Sequence, residues 1–431
     1  MRTTTRPPAS DIPAVHAAIA PVGALLRERR TLYQLAAEML DRDGPCVLEP
    51  DVVDSPITRN RIGDALAGRA RLACSELVGI NAVAGDAGGG AEQLRVASRP
   101  AANVLLAGAL DTVGAQLDRQ QAAIGPLGLL TESDGERFAS ALVVLRDGVA
   151  LARSVSPELV DDVLAHVALV GILDPQHGGR LASASSRWFP GLVLLESPQS
   201  SIEVAEALVH EGAHQKLFDL AITHDLLDAD SDRCPTFHPP WAPEGRFWPL
   251  EQTLAAGHAY ACLACFAHDS GVTVGRREVP DGSLLPVASE RCEIIGRWLL
   301  DRGDHLGPDA HALLEGLLGR RPRTARTTSD SPTGTAVDYV VDPGLEFRRG
   351  CSPDRVLVGR PSRPPQLYWV SEDAAALLEL LGHKPLDDAV DTFAQRWCVS
   401  QFDAGERLAA LLSELSASGL VTSKLRAALS S

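Results

Sequence analysis

The chain has 431 residues, 45% of them hydrophobic and 22% charged, with 40 Lys and Arg against 56 Asp and Glu for a net charge of −16. That length exceeds one ordinary core and predicts two or three domains. The negative balance repels phosphate backbones and anionic lipid surfaces, so the sequence predicts no nucleic-acid and no membrane partner.

The opening "MRTTTRPPASDIPAVHAAIAPVG" has no continuous apolar stretch of the secretory kind, and no run approaches the roughly 18 apolar residues of a membrane span. Eight cysteines are scattered over the chain rather than packed into a dense framework. A cytoplasmic location, with reduced thiols, is the expectation.

Residues about 14 to 82 carry apolar positions at three- and four-residue steps and predict helices. The glycine-rich break "AVAGDAGGGAEQ" (82–93) lacks the Gly-Lys-Ser/Thr of a phosphate loop and reads as a surface loop. Helical stretches follow near 101–124 and 133–152, then two buried strands, "HVALVGILD" (166–174) and "FPGLVLLES" (189–197). The run "SPQSSIEVAEALVHEGAHQKLFDLAI" opens with turn residues, Ser200 or Ser201 being the cap, and continues as a long helix.

Inside that helix lies His210-Glu211-x-x-His214. Residues four apart share a helix face, so His210 and His214 can present ring nitrogens to one metal ion, while Glu211 stands about 100° around the axis. Lys216, two residues past His214, is expected to point away. The metzincin extension is absent, because Leu217 and Leu220 occupy the places of its glycine and third histidine. A further ligand is needed, and His224, His238, Glu244, Glu251 and His258 are available. His258 is favoured by its apolar helical context in "EQTLAAGHAYACLACF", whereas Glu251 is the ligand a thermolysin-like zinc peptidase requires. Cys262 and Cys265 form a C-x-x-C without a second pair and read as small buried hydrophobes.

Residues 319–337 are rich in Arg, Thr, Ser, Pro and Gly and predict a linker between a domain at 1–318 and another at 338–431. In the second, the strand-like runs "LEFRRG", "RVLVG" and "QLYWV" precede three helical runs, a small α+β module. The predicted fold class is therefore α+β: a mainly helical metal-binding domain with a small sheet, then a C-terminal module.

The segments "FPGLVLLES…LVHEGAHQKLFDL" and "FHPPWAPEGRFWPLEQTLAAGHAYACL" resemble the HExxH-type 2-oxoglutarate-dependent peptide β-hydroxylases that tailor ribosomally made natural products. The resemblance covers about residues 130 to 270, and departs from the family where Phe247 and Trp248 stand between Arg246 and Pro249. It implies that His210, His214 and His258 hold Fe(II), that 2-oxoglutarate and dioxygen (O2) are co-substrates, and that a peptide side chain is hydroxylated at Cβ. Glu211 then orients a ligand or a water instead of serving as a peptidase base. Arg246, or in second place Arg187, is expected to take the distal carboxylate of 2-oxoglutarate.

The runs "EFRRG", "DRVLVG", "LYWVSEDAAALLELL", "KPLDDAVDTFAQRW" and "FDAGERLAALLSELSASGLV" resemble the PqqD-like recognition element, a winged-helix module that binds leader peptides. That likeness implies a precursor peptide as partner and nominates Leu367, Tyr368 and Trp369 with Arg407, Leu408 and Leu411 as its contacts. Two alternatives stand beside the hydroxylase: a zinc metallopeptidase with Glu211 as its base, and a non-catalytic leader-binding subunit.

Overall fold

The computed structural model describes residues 11–40, 46–85, 94–118, 127–175, 183–272, 282–319, 337–341, 345–349, 355–360, 366–382, 386–397, 401–417 and 420–425. It is a mixed α+β structure. The chain divides into two compact units, Met1–Ala65 with Arg69–Pro322, and Leu66–Gly68 with Arg323–Ser431. Most of the predicted linker and most of the glycine-rich break at 82–93 lie outside the described residues. No described helix is long and apolar enough to cross a membrane.

The first unit begins with α1 (Ile12–Ile19), α2 (Val22–Leu40), the single turn α3 (Pro50–Val53) and α4 (Pro56–Leu66). Short α5 (Ala102–Leu105) leads into α6 (Ala107–Asp118), and α7 (Glu136–Val155) into α8 (Pro157–Leu164). Strands β1 (Leu169–Leu173), β2 (Ser183–Ser185) and β3 (Leu192–Glu196) follow. They form one sheet in the order β1-β3-β2, with β1 and β3 parallel and β2 antiparallel at the edge. The predicted strands at 166–174 and 189–197 are β1 and β3. The serine-rich β2 has no apolar alternation, so the period-2 signal missed it.

Sheet and helices pack on both faces. Leu169, Leu173, Leu192 and Leu194 join the α6 residues Leu110 and Val113 in one core, while Val170, Ile172, Val193 and Leu195 join the larger core built on α7 to α10. Strands buried on both sides explain the near-continuous apolar runs in the sequence.

Helix α9 (Ser201–Thr223) carries the motif. Ser200 caps it: its hydroxyl accepts from Glu203 N at 3.4 Å, and the Glu203 carboxylate accepts from Ser200 N at 3.2 Å, a capping box. Gly148 lets α7 lie close, since a Cβ there would meet the Val204 Cβ at 2.3 Å. After α9 come α10 (Leu250–Asp269), α11 (Ala288–Leu300) and α12 (Pro308–Leu317).

The second unit is smaller. Strand β4 (Val337–Val341) pairs antiparallel with β8 (Val421–Leu425), and β5 (Glu346–Arg348), β6 (Arg355–Arg360) and β7 (Gln366–Ser371) form an antiparallel meander. Helices α13 (Glu372–Leu381), α14 (Leu386–Trp397) and α15 (Gln401–Ala417) complete it. Ser371 ends β7 and caps α13, its hydroxyl accepting from Ala374 N at 3.1 Å. Three strands and three helices stand in the predicted order, and the β4–β8 ribbon is an addition. Strand β4 starts at Val337, the last residue of the predicted linker.

Cys46 and Cys74 are joined by a disulfide, with Cα atoms 5.9 Å apart. This corrects the reading of uniformly reduced, unpaired thiols. Cys262 is a fully buried free cysteine, as its apolar context predicted, and Cys265 is half-buried.

Candidate metal centre

Helix α9 is buried nearly all round, and its least buried stripe runs along Glu206, His210, His214 and Phe218, one residue per turn. The motif histidines therefore sit on the accessible face. Their Nε2 atoms are 3.3 Å apart. Two nitrogens bound at roughly 2.1 Å to one tetrahedral or octahedral ion stand about 3.0–3.4 Å apart, so the pair already has the spacing of two ligands. Both Nδ1 atoms are buried without a hydrogen-bond partner. Burial, with His210 beside it, pushes His214 down to about 4, leaving it neutral and able to coordinate near neutral pH.

The neighbouring stripe, about 100° around the axis, anchors the helix. Glu211 is 4% exposed, and its two oxygens accept from the hydroxyls of Ser183 at 2.7 Å and Ser185 at 2.5 Å on β2. Gln215 accepts from Gly191 N at 2.6 Å and donates to Leu192 O at 2.9 Å, which pins the start of β3. Asp219 accepts from Arg29 at 2.5 Å and from His166 Nδ1 at 2.6 Å. Burial works to raise its pKa, but Arg29 and His166 hold Asp219 at about 2. Every polar residue on this side thus has a partner on a different element, as burial demands.

Lys216 is indeed off the His210–His214 stripe, yet it does not point to solvent. It is fully buried and donates to Asp162 Oδ1 at 2.6 Å. Asp162 Oδ2 takes His16 Nδ1 at 2.6 Å, and His16 Nε2 meets His258 Nε2 at 2.8 Å. His258 is fully buried on α10, as expected, but its neighbours are His16 and Cys262, whose sulfur is 4.0 Å from its Nε2. Among the described residues, His16, His258 and Cys262 form the group of three whose ligand atoms all lie within 4.8 Å; His258 does not form such a group with His210 and His214. No protein-family model and no curated protein matches the chain. Burial lowers the pKa of His16 and of His258, so both are neutral imidazoles near pH 7.

The remaining predicted residues are dispersed. Glu251 forms an ion pair with Arg187, and both are largely exposed. Among the described residues Glu251 forms no group of ligand distance with His210 and His214, so a thermolysin-like ligand set lacks its carboxylate, and Arg187 is engaged with Glu251. Arg246 is half-buried, with its carbonyl accepting from His238 Nδ1 at 2.9 Å. His238 is exposed, and His224 bonds the Thr223 hydroxyl at 2.7 Å.

A cluster the sequence did not nominate reaches His210 through Tyr260. The Tyr260 ring centroid is 6.0 Å from that of His210 and 6.1 Å from that of Trp241. Arg291, half-buried on α11, donates to the Tyr260 hydroxyl at 2.7 Å and lies 4.7 Å over the Trp241 ring. Glu206, one turn before His210, accepts from Ser283 Oγ and Leu284 N at 2.5 and 2.6 Å, and burial raises its pKa. Glu206 could have been found from its four-residue spacing to His210. Nothing in the local sequence marks Arg291 or His16.

In the second unit Leu408 and Leu411 are core residues, packed with Val356, Leu378 and Phe393. They give a peptide no surface; the apolar spacing that nominated them is the spacing of a core helix face. Tyr368 and Trp369 are half-buried on β7, which ends the sheet order β5-β6-β7, and the Trp369 Nε1 lacks a hydrogen-bond partner. The Leu367 side chain lies outside the described residues. Arg407 is exposed and ion-paired with Asp373.

Proposed function

We propose that this chain is an Fe(II)- and 2-oxoglutarate-dependent hydroxylase acting on a side chain of a ribosomally made precursor peptide. The single observation that carries the metal part is the His210–His214 pair, half-buried and at ligand spacing. His258 is the third ligand in this reading, which requires its ring to close on the pair when metal binds. With metal and co-substrate bound, dioxygen oxidises 2-oxoglutarate to succinate and carbon dioxide and one oxygen atom enters the peptide C–H bond.

The chain's own residues bind and orient. Glu211, tied to two serines, holds α9 against β2 and keeps the two histidines aimed to one side. That engagement, together with the Arg187–Glu251 pair, favours the hydroxylase over a zinc peptidase with Glu211 as base. Tyr260 and Trp241 shield the approach to His210 from water, and Arg291 offers a guanidinium with no carboxylate partner among the described residues. A distal carboxylate of 2-oxoglutarate fits that fork better than Arg187. Arg246 is the second choice.

The C-terminal unit is the leader-binding module in this proposal, a PqqD-like winged helix. Its edge strand β7 can accept an extended peptide as an added strand, with Tyr368 and Trp369 beside it. Docking of the leader then raises the effective concentration of the core peptide at the metal. The cytoplasm is the proposed location, and the Cys46–Cys74 disulfide is the feature that weighs against it. Turnover without peptide tests the co-substrate: Fe(II)-loaded protein in air should convert 2-oxoglutarate to succinate slowly, and His210→Ala should not. Equal succinate from both would overturn the reading.

A further inference from the structure

A closed circuit of contacts leaves α9 at Glu206 and returns to it at His210. The Glu206 carboxylate accepts from Ser283 Oγ at 2.5 Å and from Leu284 N at 2.6 Å. Those two residues lead through the short turn Leu285–Val287 into α11, which carries Arg291. Arg291 donates to the Tyr260 hydroxyl at 2.7 Å, and its guanidinium lies 4.7 Å over the Trp241 ring and 5.4 Å over the Tyr260 ring. The Tyr260 ring stands 6.0 Å from that of His210, and Glu206 and His210 are one turn apart, about 6 Å along the helix axis. Core packing holds α11 down without fixing its register. Leu285, Ala288, Ile295 and Leu299 are buried, and Gly257 lets α11 lie close on α10, a Cβ there meeting Ile295 Cγ2 at 3.0 Å. Such apolar contacts are non-directional. The paired hydrogen bonds to Glu206 are directional and charge-assisted, and they set where the first turn of α11 starts.

We infer that Glu206 is a positioning residue for the co-substrate: by holding the front of α11 to the helix that bears His210, it sets the reach between the metal pair and the Arg291 guanidinium, and with it the preference for a 2-oxo acid that has a second carboxylate. The inference rests on the reading of Arg291 given above. A guanidinium that takes a carboxylate with two parallel hydrogen bonds needs both groups in one plane and at contact distance, so a small displacement of Arg291 costs the second carboxylate its partner. An acid without that carboxylate makes no use of Arg291 and does not register the displacement. In this role Glu206 touches neither the ion nor the acid; it acts through α11.

Calorimetric titration of the anaerobic Fe(II) protein with 2-oxoglutarate and with 2-oxopentanoate, the same chain with a methyl group in place of the distal carboxylate, reads the preference as a ratio of affinities. The wild type should favour 2-oxoglutarate by about tenfold or more. Glu206→Ala should remove most of that ratio, with 2-oxopentanoate affinity and bound Fe(II) as in the wild type. Glu206→Gln, whose amide oxygen can still accept from Leu284 N and whose amide nitrogen can donate to Ser283 Oγ, should restore most of it. Ser283→Ala, which leaves Glu206 paired with Leu284 N, should lose part. A Glu206→Ala ratio equal to that of the wild type overturns the positioning role, and so does a loss that falls equally on both acids. Should that variant not fold, a Ser283→Ala ratio equal to that of the wild type overturns it instead. Arg291→Ala separates the two claims. A wild type without preference, or an Arg291→Ala protein that keeps it, overturns the co-substrate reading and this inference together; loss of the preference in Arg291→Ala beside full preference in Glu206→Ala overturns the positioning role alone.

Discussion

The Nε2 atoms of His210 and His214 stand 3.3 Å apart on the one stripe of α9 that is not fully buried. This is the separation of two ligands of one ion, set by helix geometry and by the anchoring of the neighbouring stripe. His210→Ala and His214→Ala should each reduce bound Co(II) from one ion per chain to a small fraction of that, with the far-UV circular dichroism unchanged. Full metal content in either variant would contradict the assignment.

Glu211 has a structural role that can be separated from chemistry. Its carboxylate accepts two serine hydroxyls from β2, and Glu211→Gln replaces one acceptor by a donor. The expected cost is about 1–2 kcal/mol of stability, measured by urea denaturation, with metal binding kept and some 2-oxoglutarate turnover retained. A variant of full stability that has lost all turnover would make Glu211 a reacting group instead.

Arg291 lies against Tyr260 and Trp241 beside His210, whereas Arg187 is spent on Glu251. Arg291→Ala should weaken 2-oxoglutarate binding to the anaerobic Fe(II) protein by about tenfold or more, as loss of a charge-assisted pair does. Arg291→Lys should recover little, because an ammonium lacks the planar fork, and Arg187→Ala should have no effect. Calorimetric titration checks all three. Weakening in Arg187→Ala alone would return the role to that residue.

Acid should destabilise the metal-free protein in two stages. Burial lowers the pKa of His16, His166, His214 and His258 below the 6.5 of a free imidazole. Below 6.5 the unfolded chain takes up protons that the folded one refuses, so stability is full above pH 6.5 and falls as pH drops toward 4, where His214 itself protonates. Asp162 and Asp219, both held at about 2, add a second loss as pH falls from 3.8 toward 2. The midpoint of thermal unfolding should therefore drop between about pH 7 and pH 5. A flat profile over that span would contradict the burial of neutral histidines.

The sequence made the large periodic features legible and left the cross-chain ones hidden. Helix α9, its serine cap and the motif on one face follow from spacing alone, and so do β1, β3 and the strand-then-helix order of the second unit. Strand β2 was not legible, because Ser183 and Ser185 are recruited by Glu211 rather than by an apolar pattern. His16 lies 242 positions from its partner His258, and no local rule connects them. Lys216 shows the limit of face counting: two residues past His214 did place it off the ligand stripe, but away from that stripe the middle of α9 is buried, so leaving the stripe does not lead to water. The leader-contact residues divide in the same way, with Leu408 and Leu411 in the core and Tyr368 and Trp369 half-buried on an edge strand.

The most direct test weighs the peptide. Candidate leader-bearing precursor peptides would be incubated with the Fe(II)-loaded protein, 2-oxoglutarate and air, and the products analysed by mass spectrometry alongside succinate. The account predicts a gain of one oxygen atom on the core peptide with one succinate formed per oxygen. A cleaved peptide, or an intact one that binds and returns unchanged, would contradict it.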